Sequence, residues 1–325
     1  MATADPAIIW LYWRLVFKII MYQQHFQLSR MPFGLTPDTT FYVPLQQHND
    51  VLAVLKTALN AGEGFIKVCG EVGSGKTLLC RKLLQNAEPD WQLAYLPDPY
   101  LSPIELRWAL ALDLGLKHSA NIDPPQLLQL LQRQLMLLAG QGKKAIVLID
   151  EAQALPDETL EALRLLTNLE TEQRKLLQVV LFGQPELDNR LSSYRFRQLR
   201  QRISFSCRLT LLNRQQVAAY LQQRLYQAGT QRMLFSRPAL KELARYSRGV
   251  PRLVNILAHK ALLLAFGEGK AHAGYQHVRL AAWDTEDVQP KPRAWWWHGL
   301  ASASVLAAGY AMAAGSQWLV GWMAL

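Results

Sequence analysis

The amino-acid sequence predicts an α/β fold, a parallel sheet flanked by helices, with a small all-helical domain after it. Three observations lead there. Short apolar runs bounded by turn residues recur at 65–69, 92–96, 145–149 and 177–182, separated by stretches of helical periodicity, which is the alternation of a parallel sheet. The first run passes through a glycine-rich loop into a helical pattern over 76–85. From about Asn213 to Leu280 the pattern is helical only.

In chain order, residues 1–20 form an N-terminal extension. Its apolar stretch 7–20 is interrupted by Arg14 and Lys18, so it is too short and too charged for a bilayer span of ~20 residues. It is either a basic amphipathic helix on a membrane surface or sequence upstream of a true start at Met21. Residues 21–44 read as loop, and an amphipathic helix over 45–61 stops at Gly62. The sheet domain is assigned to 21–210, the helical domain to 211–285 and a linker to 286–294. Residues 295–325 are the last segment. From Ala294 onward no charged residue occurs if His298 is neutral, and Lys291 and Arg293 with Trp295, Trp296 and Trp297 stand just before or at its start. Such flanks predict a single membrane helix with the preceding domains on the cytoplasmic side; the alternative is an Ala/Gly-rich helix packed in the core.

The 325 residues suffice for a substantial core. Half are hydrophobic and only 18% charged, which excludes a disordered chain. Cys69, Cys80 and Cys207 are scattered, so neither a zinc site nor a disulfide framework is expected and a reducing compartment fits. The net charge of +10 originates between Asn189 and Lys241, where there are ten arginines, one lysine and no acid. That segment is either a surface for phosphates or a solvated helix face with a few nucleotide-sensing arginines.

Gly70-Glu71-Val72-Gly73-Ser74-Gly75-Lys76-Thr77 fits the phosphate-binding pattern GxxxxGK[ST], placed after a strand and opening a helix as that pattern requires. Glycines let backbone N–H groups turn toward phosphates, the helix N-terminus adds its dipole, and Lys76 neutralises β- and γ-phosphate charge. These eight residues with Leu78 are the candidate nucleotide-binding set. ATP and Mg2+ are the expected cofactors, with Thr77 and Asp150 as the metal-binding pair. The apolar run 145–149 ends in Asp150 and Glu151, and Glu151, differently directed, suits polarisation of an attacking water.

Four further residues complete the candidate site. Gln184 follows the fourth apolar run, where its amide is placed either to orient the lytic water or as a plain loop residue. Arg200 and Arg202 are the candidates for an arginine supplied to a neighbouring subunit, with surface ion pairing as the alternative. Arg252, in the first turn of a helix opened by Pro251, is placed to reach the nucleotide from the helical domain.

Taken together, Met21 to Phe26, Pro32 to Asp38, Gly62 to Thr77, Leu148 to Gln153, Gln198 to Ile203, Tyr220 to Leu225 and Gly249 to Arg252 resemble the ExeA/GspA-like secretion ATPases of the AAA+ class. The likeness covers about residues 21–285. It implies a homo-oligomeric, single-pass bacterial inner-membrane ATPase, held in lipid by its C-terminal helix, that works with pilus or secretion assembly proteins to build a type IV pilus. ExeA-like proteins carry a peptidoglycan-binding region after the membrane helix, and this sequence stops at Leu325, so peptidoglycan binding is not expected. The arginine-rich segment motivates a second reading, a DNA-associated ATPase of the transposition-regulator kind. A third is a nucleotide switch in which binding, rather than turnover, controls a partner.

Overall fold

The computed structural model describes residues 21–34, 39–116, 122–170 and 174–288. The N-terminal extension 1–20 and the expected membrane helix over 295–325 lie outside the described residues, among which no helix is long and apolar enough to cross a membrane. Helical residues 21–26 (α1) open the described chain. They are followed by α2 (Gln46–Asn60), β1 (Phe65–Gly70), α3 (Lys76–Gln85), β2 (Trp91–Leu96), α4 (Pro103–Asp113) and α5 (Pro124–Gly140). Next come β3 (Lys144–Ile149), α6 (Asp157–Leu166), β4 (Leu177–Gly183), α7 (Pro185–Leu191), α8 (Arg197–Arg202) and β5 (Ile203–Leu209). Helices α9 (Arg214–Gln227), α10 (Arg237–Ser247), α11 (Pro251–Gly267) and α12 (Tyr275–Trp283) complete the series. Residues up to Ala281 form one compact unit, so α9 to α11 share it with the sheet; a second unit starts at Ala282.

Local chemistry sets many boundaries. Ser102 and Glu105 form a reciprocal capping box at α4, Asn213 and Gln216 do the same at α9, and Asp123 caps α5 ahead of Pro124. Each such cap contributes about 1 kcal/mol by satisfying backbone N–H groups that the helix cannot.

The sheet is parallel, in the order β2-β3-β4-β1-β5. Its central strands are buried on both faces, which is why they read as continuous apolar runs. Val147, Ile149, Val179 and Leu181 pack with Leu106, Leu127, Leu131 and Leu163 of α4, α5 and α6. Their neighbours Ile146, Leu148, Val180 and Phe182 face the other way, onto Leu55, Leu59, Leu79 and Leu83 of α2 and α3. Each buried aliphatic side chain contributes about 1.5–3 kcal/mol. Gln178 is the polar exception in β4, and its Nε2 donates to the carbonyls of Leu59 and Glu63, both at 3.0 Å, which fastens the turn after α2 to the sheet.

Two features differ from the sequence expectation. Residues 21–26 are helical rather than loop, because Tyr22 and Phe26 meet edge to face at 5.2 Å and Tyr22 meets the rings of His259 and Phe266 on α11. Strand β5 was not foreseen; it lies inside the arginine-rich segment at the sheet edge, paired only with β1, with Ser204, Phe205 and Ser206 exposed.

Candidate nucleotide site

Strand β1 ends at Gly70, and the loop to α3 turns on two left-handed glycines, Gly73 at φ 76° and Gly75 at φ 101°. Gly70 is needed for closeness, since a Cβ there would fall 2.7 Å from Ser74 Oγ and 3.0 Å from Leu209 Cβ. Lys76, 4% exposed, donates through Nζ to the carbonyls of Gly70 at 2.9 Å and Glu71 at 3.1 Å. Burial pulls its ammonium below the ordinary lysine value, opposed by the charges of Glu151 and Asp150.

Strand β3 brings Asp150 and Glu151 to the same end of the sheet. Asp150 is buried, hydrogen-bonded to the Thr77 side chain and to the Glu151 N–H at 3.0 Å. Burial outweighs those bonds and lifts its carboxyl above the ordinary aspartate value. Glu151 sits in the left-handed region at φ 50°, which swings its side chain away from the line of the strand. Burial raises the Glu151 carboxyl, but hydrogen bonds from Gln153 and Gln184 and the charge of Lys76 outweigh it, leaving the group below the usual carboxylate range.

A cavity of about 200 Å3 joins these groups. Gly73, Gly75, Lys76, Thr77, Leu78 and Glu151 form one wall and Tyr220, Arg224, Pro251, Arg252 and Asn255 the other, so the loop after β1 faces helices α9 and α11. The Arg252 N–H donates to the Gly73 carbonyl at 3.2 Å, while its exposed guanidinium makes no ion pair among the described residues. Tyr220 Oη donates to Asn255 Oδ1 at 3.0 Å, and Arg224 donates to the carbonyls of Pro32 at 2.7 Å and Phe41 at 3.1 Å.

These residues fit a magnesium-bound nucleoside triphosphate. The glycine turns present backbone N–H groups, Lys76 has carbonyls but no carboxylate as hydrogen-bond partner, and the buried Ser74 Oγ is unpartnered among the described residues. No cluster of three or more metal-ligating side chains exists among the described residues. One hydroxyl and one carboxylate, Thr77 and Asp150, are a donor set for magnesium, which keeps waters and takes phosphate oxygens for the rest.

Of the expected site residues, Glu71, Val72, Ser74 and Gln184 also lie here. Gln184 donates through Nε2 to Glu151 Oε2 at 2.9 Å. Arg200 and Arg202 are elsewhere, beside a separate open cleft of about 630 Å3 that shares no lining residue with the first. Arg202 donates through Nη1 to the Arg164 carbonyl at 3.2 Å, whereas Arg200 is exposed with no partner among the described residues. Sequence reasoning gave no role to Gln153, His48, Tyr220, Arg224 or Asn255. The buried His48 of α2 meets the loop through Nε2 and the Ser74 carbonyl at 3.3 Å, and burial lowers its imidazole despite that bond. Gln153 lies within the motif Leu148 to Gln153, and Tyr220 and Arg224 within Tyr220 to Leu225, without an assigned task; no local pattern marks His48.

Comparison with known proteins agrees with this geometry. Residues 59–191 match the family described as AAA domain. The chain is 38% identical over 302 residues to the general secretion pathway protein A of Aeromonas hydrophila, an alignment covering 93% of this chain and 54% of that protein. It is 31% identical over 130 residues to the ATP-dependent target DNA activator B of Escherichia phage Mu, covering 40% of this chain and 39% of that one. The chain thus spans about half the length, or less, of these curated relatives. In fold it is similar to the Aeropyrum pernix ORC2 protein, solved as ADPNP and ADP complexes, with a TM-score of 0.56, 16% identity and coverage of 81% of this chain and 73% of that one. With the parallel sheet, the phosphate-binding loop and the match over residues 59–191, this part of the chain is an AAA domain of the P-loop ATPase kind, and the chain is similar over most of its length to a general secretion protein A.

Proposed function

We propose that this protein hydrolyses ATP in the 200 Å3 cavity and uses turnover to assist assembly of a type IV, MSHA-like pilus or a related secretion machine at the bacterial inner membrane. One observation carries the machine: the likeness to a general secretion protein A runs through 93% of the chain, well beyond the matched AAA domain. The resemblance of the motif set to the MshM type of that group supports the pilus reading.

Residues 70–78 bind the phosphates through backbone N–H groups and the Lys76 ammonium. Thr77 and Asp150 hold magnesium, which neutralises phosphate charge. Glu151, kept ionised, polarises the attacking water, and Gln184 orients it or senses the γ-phosphate. Arg252 brings helices α9 to α12, acting as a lid, to the nucleotide. Arg200, whose side chain has no partner among the described residues, is the better candidate to complete the site of a second copy, because Arg202 is occupied at the Arg164 carbonyl. The C-terminal segment 295–325 anchors the protein in lipid with the ATPase domain cytoplasmic.

The test pairs Glu151→Gln with Lys76→Ala in phosphate-release and nucleotide-binding assays. Glu151→Gln is expected to keep ATP bound and lose turnover, and Lys76→Ala to lose binding. Wild-type turnover by Glu151→Gln overturns the chemical assignment. Membrane fractionation with and without residues 294–325 tests the anchor; equal recovery in the soluble fraction refutes it.

A DNA-associated role is the second reading, favoured by the phage Mu likeness and the arginine-rich segment. Much of that charge is already engaged: Arg190 and Arg195 pair with Asp157, Arg208 with Asp188, and Arg202 and Arg224 with carbonyls. ATP-strengthened, salt-sensitive DNA binding supports this reading, and its absence at low salt removes it.

A further inference from the structure

Gln153 uses both ends of its side chain on residues that converge from two strands. Its Nε2 donates to Glu151 Oε2 at 2.6 Å, and its Oε1 accepts the Gln184 N–H at 3.0 Å. Gln184 Nε2 reaches the same Glu151 oxygen at 2.9 Å. Two amides therefore hold Oε2, while Oε1 has no hydrogen-bond partner among the described residues. A carboxylate that must act on water needs this division, with one oxygen fixed and the other open.

The amide is itself anchored. The Gln153 carbonyl accepts from Arg190 Nη1 at 2.6 Å, and Arg190 pairs with Asp157, which also takes Arg195 Nη1 at 2.6 Å. Gln153 sits in the short 3-10 segment Ala152–Ala154, one turn long and too short to be rigid alone, so Arg190 of α7 and Asp157 of α6 set its place. Glu151 has a left-handed backbone that favours glycine, and its side chain therefore depends on such outside contacts.

We propose that Gln153 is a positioning residue for ATP hydrolysis, aiming Glu151 from an anchorage on Arg190 and Asp157. The proposal rests on the reading of Glu151 as the group that polarises water. Gln153 does not line the cavity and makes no hydrogen bond to the loop 70–77 or to the second wall among the described residues, so its loss should leave nucleotide affinity intact.

The experiment measures single-turnover phosphate release and ATP affinity for full-length Gln153→Leu, Glu151→Gln and the double variant. Gln153→Leu is expected to bind ATP within twofold of wild type and to lose at least tenfold in rate. Because it acts through Glu151, the same change made in Glu151→Gln should alter the residual rate by less than twofold. A wild-type rate in Gln153→Leu, a loss arising from affinity alone, or an equal further loss in the double variant overturns the proposal. If Gln153→Leu does not fold, the isosteric Gln153→Glu carries the same comparison, with the same expected rate loss. Wild-type turnover in Glu151→Gln is a different failure, that of the Glu151 assignment.

Discussion

Replacing Gly73 by alanine tests whether the phosphate loop and the helix of Arg252 are shaped against each other. Gly73 has φ 76°, and a Cβ there would lie 2.6 Å from Arg252 Cβ and 3.2 Å from Val250 Cγ1. A left-handed alanine costs roughly 1–2 kcal/mol. The contact with Arg252 adds about 1–3 kcal/mol, because a Cβ cannot rotate away and backbone must move instead. Gly142 is the control: its φ is also 76°, but nothing lies within 4 Å of an added Cβ. Gly142→Ala should therefore show the backbone cost alone, about 1–2 kcal/mol, against roughly 2–5 kcal/mol for Gly73→Ala. Urea unfolding of the nucleotide-free protein measures both. Moving Arg252 also breaks its N–H bond to the Gly73 carbonyl and shifts one cavity wall from the other, so ATP should bind at least tenfold more weakly to Gly73→Ala, about 1.4 kcal/mol. Gly142→Ala should bind normally. Equal destabilisation of the two variants, with unchanged affinity in both, refutes the reasoning.

Two more outcomes follow from buried polar groups. Gln178→Leu strips the carbonyls of Leu59 and Glu63 of their side-chain donor and should cost about 2–4 kcal/mol in urea unfolding; a loss under about 0.5 kcal/mol contradicts the assigned bonds. His48 and His259 both have burial-lowered values, so below the ordinary 6.5 the unfolded chain takes protons that the folded one refuses, and stability falls as pH drops through that value toward the folded one. His48→Gln should flatten the decline of melting temperature from pH 7 to 5, and an unaltered slope counts against it.

Legibility in the sequence followed locality. The run 145–149 announced itself because β3 is covered on both faces, leaving no position free to be polar. The loop Gly70 to Thr77 was legible because its spacing and its strand-to-helix setting are both local. Strand β5 lacks that signal: as an edge strand with solvent-facing Ser204 and Ser206 it has no continuous apolar run, and it lies in an arginine-rich segment that resembles a surface. The described part of helix α1, residues 21–26, places Tyr22 against Phe26 and against Phe266 of α11, near the far end of the described chain, a contact that no local pattern announces. His48 carries no local mark, and Gln153, although inside the motif Leu148 to Gln153, carries no local cue to its task, since what gives each of them work is a contact across the fold.

The strand order explains why binding and turnover should be separable. Strands β1 and β3 are not neighbours; β4 lies between them, so the phosphate loop and the Asp150–Glu151 pair are offset by two strand spacings, roughly 10 Å. The carboxyl end of β4 fills that gap. In register, Ile149 of β3 lies beside Leu181 and Cys69 of β1 beside Gly183, so β4 runs on past the end of β3 and releases Gln184 beside Glu151. The groups that hold Glu151 thus come from the β4 to α7 corner and the turn after β3, while those facing the phosphates come from β1, α3 and α11. Damage to the first set should appear in rate and damage to the second in affinity, because the functional groups of the two sets meet where Thr77 and the charge of Lys76 reach Asp150 and Glu151.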